Sequence, residues 1–228
     1  MDRDSDTSAS FYRVHSARYA DVSHAFGQSI YLESSHAWLK NDWDLLRRSE
    51  ALAPGLRALD AGCGAGARDV HKLWCDGYDA FGIDAVEENI AVARHMHPEI
   101  ADRLSVADLR EPLPFAPGEF DLVLCNAVIQ HVPREDTFAI TLPELVRILR
   151  RGGVLQLMFK RGKGILTLQD HDYGVERSFL LYEEDAILSS LDSLGLELVD
   201  TPDAPGTALY FTDTKHAPHC AVHGRRRP

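Results

Sequence analysis

Three aspartates each close a short apolar run: Asp60 after Leu56, Ala58 and Leu59, Asp84 after Tyr78–Ile83, and Asp108 just beyond Leu104–Val106. Behind the first comes Gly62-Cys63-Gly64-Ala65-Gly66, with glycines at alternate positions. Glycine adopts φ > 0 without a steric penalty and lets backbone approach a ligand closely. A helix starting behind such a turn offers unpaired N–H groups. Strand, glycine turn and helix start together form a cofactor cradle. If the three runs are parallel strands, their C-terminal ends share one rim, where α/β sheets bind ligands. A ligand met there by three carboxylates carries hydroxyls, amines or positive charge.

S-adenosylmethionine has all of these. Asp84 can accept both ribose hydroxyls, Asp108 the adenine amine protons, and Asp60 can orient the ammonium. A dinucleotide is the competing reading. Gly62-x-Gly64-x-x-Ala67 satisfies the relaxed dinucleotide pattern, and Asp84 follows about 20 residues on, where a ribose-binding acid belongs. Two features favour the methyl donor. Asp60 would repel a pyrophosphate, and the third glycine, Gly66, suits an amino-acid moiety lying along the loop.

The elements that must hold these residues alternate. Helix is expected over 67–76, a strand over 78–83, helix over 86–96, a strand over 104–106, a continuous apolar strand over 120–125, helix over 142–150 and a strand over 154–159. Such alternation predicts an α/β fold, a mostly parallel sheet with helices on both faces. Ahead of it, residues 1–10 are polar and read as a disordered tail. Residues 11–53 read as an N-terminal helical cap, with a first helix from Phe11 and a second from about His36 to Glu50 capped by Ser34-Ser35. Residues 54–215 read as the main domain. Within it, 160–177 is expected to be a long loop, 183–194 a helix, and 196–199 and 208–211 the last two strands. Residues 216–228 read as a C-terminal tail.

Bulk properties narrow the partners. The net charge of −11 in 228 residues, 35 acids against 24 bases, disfavours nucleic acid. No apolar run approaches the length of a membrane span, and the polar, acidic first ten residues do not read as a signal peptide. The scattered cysteines Cys63, Cys75, Cys125 and Cys220 suit reduced thiols, hence an expected cytoplasmic location.

Asp60-Ala-Gly62-Cys-Gly64-Ala-Gly66 resembles the D-x-G-x-G-x-G signature of class I S-adenosylmethionine-dependent methyltransferases. Gly82-Ile-Asp84 and Ala107-Asp108-Leu109 are similar to that family's second-strand acid and adenine-contacting segment. Phe120–Asn126 with Gln130-His131-Val132-Pro133, and Leu145-x-x-x-Leu149-Arg-Arg-Gly-Gly153, resemble its fourth-strand motif and the turn before strand five. The resemblance covers about residues 55–200. It implies a Rossmann-like sheet of seven strands with the last antiparallel, and S-adenosylmethionine bound through Asp60, Gly62, Cys63, Gly64, Gly66, Asp84, Ala85, Asp108, Leu109 and Asn126. It also implies SN2 methyl transfer to a small molecule. Because the sulfonium is already activated, no obligatory catalytic residue follows; His131 and Tyr19 are the candidates. Tyr12, His15, Tyr19, His131, Lys160 and Arg177 are candidate acceptor contacts. His216, His219, Cys220 and His223 have metal-ligand chemistry but no second cysteine cluster, so no metal is expected. A non-catalytic S-adenosylmethionine-binding subunit and an NAD-dependent oxidoreductase are the alternatives. Acceptor, methylated atom and oligomeric state are not readable.

Overall fold

The computed structural model describes residues 3–203, 206 and 208–228, with side chains from Ser8 onward. Helix α1 (Arg3–Gln28) leads to a short edge strand β1 (Glu33–Ser34) and helix α2 (Asp42–Leu52). Then β2 (Arg57–Ala61), α3 (Arg68–Cys75), β3 (Asp79–Asp84), α4 (Glu87–Met96), β4 (Leu104–Val106) and β5 (Phe120–Asn126) alternate as expected. A single turn α5 (Arg134–Asp136) runs through a π turn into α6 (Leu142–Ile148), followed by the long β6 (Leu149–Lys160). The hairpin β7 (Gly164–Asp170) and β8 (Val175–Leu181), helix α7 (Glu184–Ser193), β9 (Leu196–Leu198), β10 (Leu209–Thr212) and β11 (Pro218–Arg226) complete the chain.

The sheet order is β1-β10-β11-β6-β5-β2-β3-β4, and β9 continues beside β11 where β10 ends. Strands β2 to β6 are parallel, and β11 runs antiparallel to β6. Counting β9 and β10 as one position, this is the seven-position Rossmann-like sheet with an antiparallel last strand, extended by β1. Both faces are covered. Alternate residues of β5 enter opposite cores: Val123 and Cys125 with Leu145 and Leu157, Leu122 and Leu124 with Val70 and Ile90. All are fully buried, which is why this strand reads as a continuous apolar run.

Four boundaries differ from expectation. The disordered stretch anticipated over 1–10 is helical from Arg3 on, Met1 and Asp2 lying outside the described residues, because α1 is held by its contacts rather than by its composition. Ser34-Ser35 does not cap α2. Ser34 pairs with Phe211 in the sheet, and the cap is a box between Asn41 and Asp44. The loop expected over 160–177 is the end of β6 and most of a hairpin turning at Gly174 (φ 68°). Its strands alternate exposed and covered residues, and their polar content hid the period of two. The tail expected over 216–228 holds β11, which pairs with β6 from His219–Lys160 to Arg225–Val154. There His219, Cys220 and His223 do not converge as metal ligands. His223 bonds Ser49, His219 bonds Lys160, and His216 is exposed.

Candidate functional site

The C-terminal ends of β2, β3 and β4 bring Asp60, Asp84 and the nearby Asp108 to one rim, as their spacing required. Gly62 and Gly64 turn the chain with φ of 98° and 64°. A Cβ on Gly62 would strike Val128, and one on Gly64 would lie 2.6 Å from the Tyr19 ring. Both positions therefore demand glycine for conformation and for space. Cys63 and Gly66 are buried in the same turn.

Asp84 is held by its own neighbourhood. It accepts N–H bonds from Gly64 (3.0 Å) and Val86 (2.8 Å), and the Asn89 amide donates to it at 3.1 Å. Burial nevertheless raises its pKa. The Asn89 carbonyl oxygen is buried without a donor. Asp60 is 5% exposed, and its carboxylate accepts no hydrogen bond among the described residues. Burial, reinforced by Asp69, pushes its pKa well up. Asp108 is gripped by the Arg110 guanidinium at 2.6 Å and 3.0 Å, and its pKa is lowered although burial opposes this. Asn126 donates to Asp69 (3.4 Å) and accepts from Gln156 (2.8 Å).

Two clefts meet over this rim. One, of about 750 Å³, is lined by Asp84, Ala85, Asn89, Asp108 and Leu109. The other, of about 1050 Å³, is lined by Asp60, Cys63, Lys160, Tyr173, Arg177 and Phe179. Gly62, Asn126, Ala127, Tyr12, Tyr19 and His131 border both. An unpaired buried carboxylate and an unpaired buried carbonyl oxygen, one in each cleft, suit a ligand that brings an ammonium and hydroxyls.

Helix α1 lies across the junction. The Tyr12 hydroxyl accepts from Arg177 at 2.6 Å and lies 3.2 Å from His131 Nε2, while Ser8 Oγ lies 2.9 Å from Nδ1. Both ring nitrogens of His131 are thus engaged. Burial, with Arg177 and Lys160 nearby, lowers its pKa to about 3, so the ring is neutral. Burial raises the Tyr19 phenol well above its usual range, so it too is neutral. His15, expected beside these residues, packs on Phe11 and Tyr173 and borders neither cleft.

Lys160 and Arg177 enter the second cleft from β6 and the hairpin. The Lys160 side chain is 7% exposed; its ammonium lies 3.2 Å from His219 Nε2 and 3.7 Å from Asp213. His219 Nδ1 is 3.0 Å from the Ala217 carbonyl, which can only accept, so Nδ1 carries the proton and Nε2 accepts from Lys160. Burial lowers the Lys160 pKa to about 8. Arg177 pairs with Asp170 at 3.1 Å and packs over the Phe11 and Phe179 rings. The buried Tyr173 hydroxyl has no partner among the described residues. Asn89 and Tyr173 were not singled out from sequence, and His219 was noted only for its metal-ligand chemistry. Only Asn89, five residues after Asp84, carried a local signal.

Fold and rim together resemble those of the class I S-adenosylmethionine-dependent methyltransferases. Residues 59–157 match the profile of a family described as a methyltransferase domain. Over these residues, less than half of the chain, it is similar to that family, and the likeness supports S-adenosylmethionine as the cofactor. Among curated relatives, it is 34% identical over 141 residues to a malonyl-[acyl-carrier protein] O-methyltransferase of Enterobacter lignolyticus, covering 59% of this chain and 51% of the relative. It is 37% identical over 120 residues to a trans-aconitate 2-methyltransferase of Azoarcus sp., covering 52% and 44%. The chain thus spans about half the length of these relatives. Among solved structures, the 1,6-didemethyltoxoflavin-N1-methyltransferase of Burkholderia thailandensis shares the fold at a TM-score of 0.64 and 16% identity, covering 100% of this chain and 92% of that one.

Proposed function

We propose that the chain transfers a methyl group to an oxyanion of a small organic acid. The observation that carries this reading is the buried Lys160 ammonium in a cleft that opens onto the glycine loop. Bound S-adenosylmethionine supplies a methyl group already activated on a sulfonium, so positioning and exclusion of water are what remain for the protein.

On the cofactor side, Asp84 and the free carbonyl of Asn89 take the ribose hydroxyls. Asp60 takes the ammonium, with Gly62, Cys63, Gly64, Gly66 and Asn126 around it. Asp108, Ala85 and Leu109 border the adenine, Asp108 sharing its carboxylate with Arg110. On the acceptor side, Lys160 has donors to spare after His219 and holds the oxyanion, while the Tyr173 hydroxyl offers a second donor. Arg177 fixes Tyr12, and Tyr12 with Ser8 fixes His131, so the three form a wall of the cleft. An ionised carboxylate needs no base, which suits a neutral, doubly bonded His131. The relatives' names point the same way, since a malonyl group and aconitate both carry carboxylates.

The test is methyl transfer from labelled S-adenosylmethionine to a panel of di- and tricarboxylic acids, phenols, amines and thiols. Turnover confined to the acids is expected, with Lys160→Met losing it while retaining S-adenosylhomocysteine binding. Turnover of amines alone, untouched by Lys160→Met, overturns the proposal.

A further inference from the structure

His71, His97 and Glu99, none of which lines either cleft, converge beside the glycine loop. We propose that they bind a divalent transition cation of the zinc type. One ligand atom from each of the three lies within 4.8 Å of the others. Glu99 Oε1 is 2.8 Å from His71 Nε2 and 3.7 Å from His97 Nδ1. Tetrahedral zinc with bonds of 2.0–2.1 Å places its ligand atoms about 3.3 Å apart, within that range. The two imidazoles are stacked at 4.1 Å, so one ring turns about its side-chain bonds for both lone pairs to meet at one ion. Two imidazoles and a carboxylate form a donor set for zinc or its first-row neighbours rather than for magnesium or calcium.

The hydrogen bonding of the neutral His97 ring also suits a cation. His97 Nε2 is 3.0 Å from the Gly66 carbonyl, which can only accept, so that nitrogen carries the proton. In the neutral ring Nδ1 then turns a lone pair toward the Glu99 carboxylate 3.7 Å away, an arrangement that a bound cation resolves. An imidazole that donates its other N–H to a backbone carbonyl is also the usual outer-shell support of a metal ligand. The proton now between His71 Nε2 and Glu99 leaves as the cation takes its place. Cys75, one turn beyond His71 on α3, offers a further donor, its Sγ 3.8 Å from His71 Nε2. The site ties α3, which follows the glycine loop, to the end of α4, and its outer-shell bond lands on Gly66 of the loop. None of this depends on which acceptor is methylated.

The test uses the full chain after chelator treatment, titrated with zinc by calorimetry and with cobalt(II) by visible absorption. Expected are one equivalent bound at micromolar affinity or better, cobalt bands of a four-coordinate site, and a zinc-dependent rise in Tm. His97→Ala and Glu99→Gln should each weaken binding at least tenfold and abolish the rise. Should His97→Ala not fold, the partly exposed Glu99→Gln carries the comparison by itself. No stoichiometric binding by the parent chain, or undiminished binding by Glu99→Gln and His97→Ala, overturns the proposal.

Discussion

The rim proposed for the cofactor and the cleft proposed for the acceptor are built by opposite strategies. On the rim, Asp84 is held by Gly64, Val86 and Asn89, all within 20 residues of it. In the acceptor cleft, Tyr12 meets Arg177 across 165 positions, Ser8 meets His131 across 123, and Lys160 meets His219 across 59. Local chemistry builds the rim, whereas long-range packing builds the cleft beside it. The two regions also differ in charge state. Burial raises the pKa of Asp60 and Asp84, and lowers that of His131, His219 and Lys160.

The largest effect that could break this contrast is on cofactor affinity. Asp84→Ala removes the loop's anchor together with the ribose acceptor, and should weaken S-adenosylhomocysteine at least a hundredfold, about 2.7 kcal/mol. Calorimetry giving parent-like affinity would move the ribose elsewhere. On the acceptor side, Lys160→Met should raise the acceptor KM tenfold or more, about 1.4 kcal/mol, and leave cofactor affinity unchanged. Because the Lys160 pKa is lowered to about 8, the same KM should climb as pH rises through 8 in the parent chain and stay flat in the variant.

Stability against pH sharpens the comparison with two opposing signs. His131 has a folded pKa of about 3 against an ordinary 6.5. The unfolded chain therefore takes up a proton that the folded chain refuses, and stability falls as pH drops from 6.5 toward 3. Asp60 and Asp84 act in the other direction: their raised folded values add stability as pH falls through them. Urea midpoints from pH 7 to pH 4 should decline, and His131→Gln should decline less steeply. An equal slope in parent and variant would assign the acid sensitivity to other groups.

The smallest effect concerns the cover. Tyr12→Phe deletes the hydroxyl shared by Arg177 and His131, about 1 kcal/mol. Faster amide exchange is expected along α1 and in the β7–β8 hairpin, with none in β2 or β3. Uniform change across the sheet would mean that α1 is part of the core rather than a cover over the site.

The rim, the glycine turn and the order of β2 to β6 were legible because each rests on short-range rules. A buried parallel strand is an unbroken apolar run, a tight turn against a ligand needs glycine, and an acid at a strand end faces the switch point. The sequence by itself thus determined the fold class and the cofactor. Tertiary structure alone decided the rest. Residues 218–226 became the last strand because β6 offered an open edge, and polar residues 164–181 became a hairpin because one face could cover the cleft. The same packing buried Lys160 beside His219, and set His97 and Glu99 against His71. No pattern along the chain encodes such meetings, since their energy comes from groups far apart in sequence that only the folded sheet brings within bonding distance.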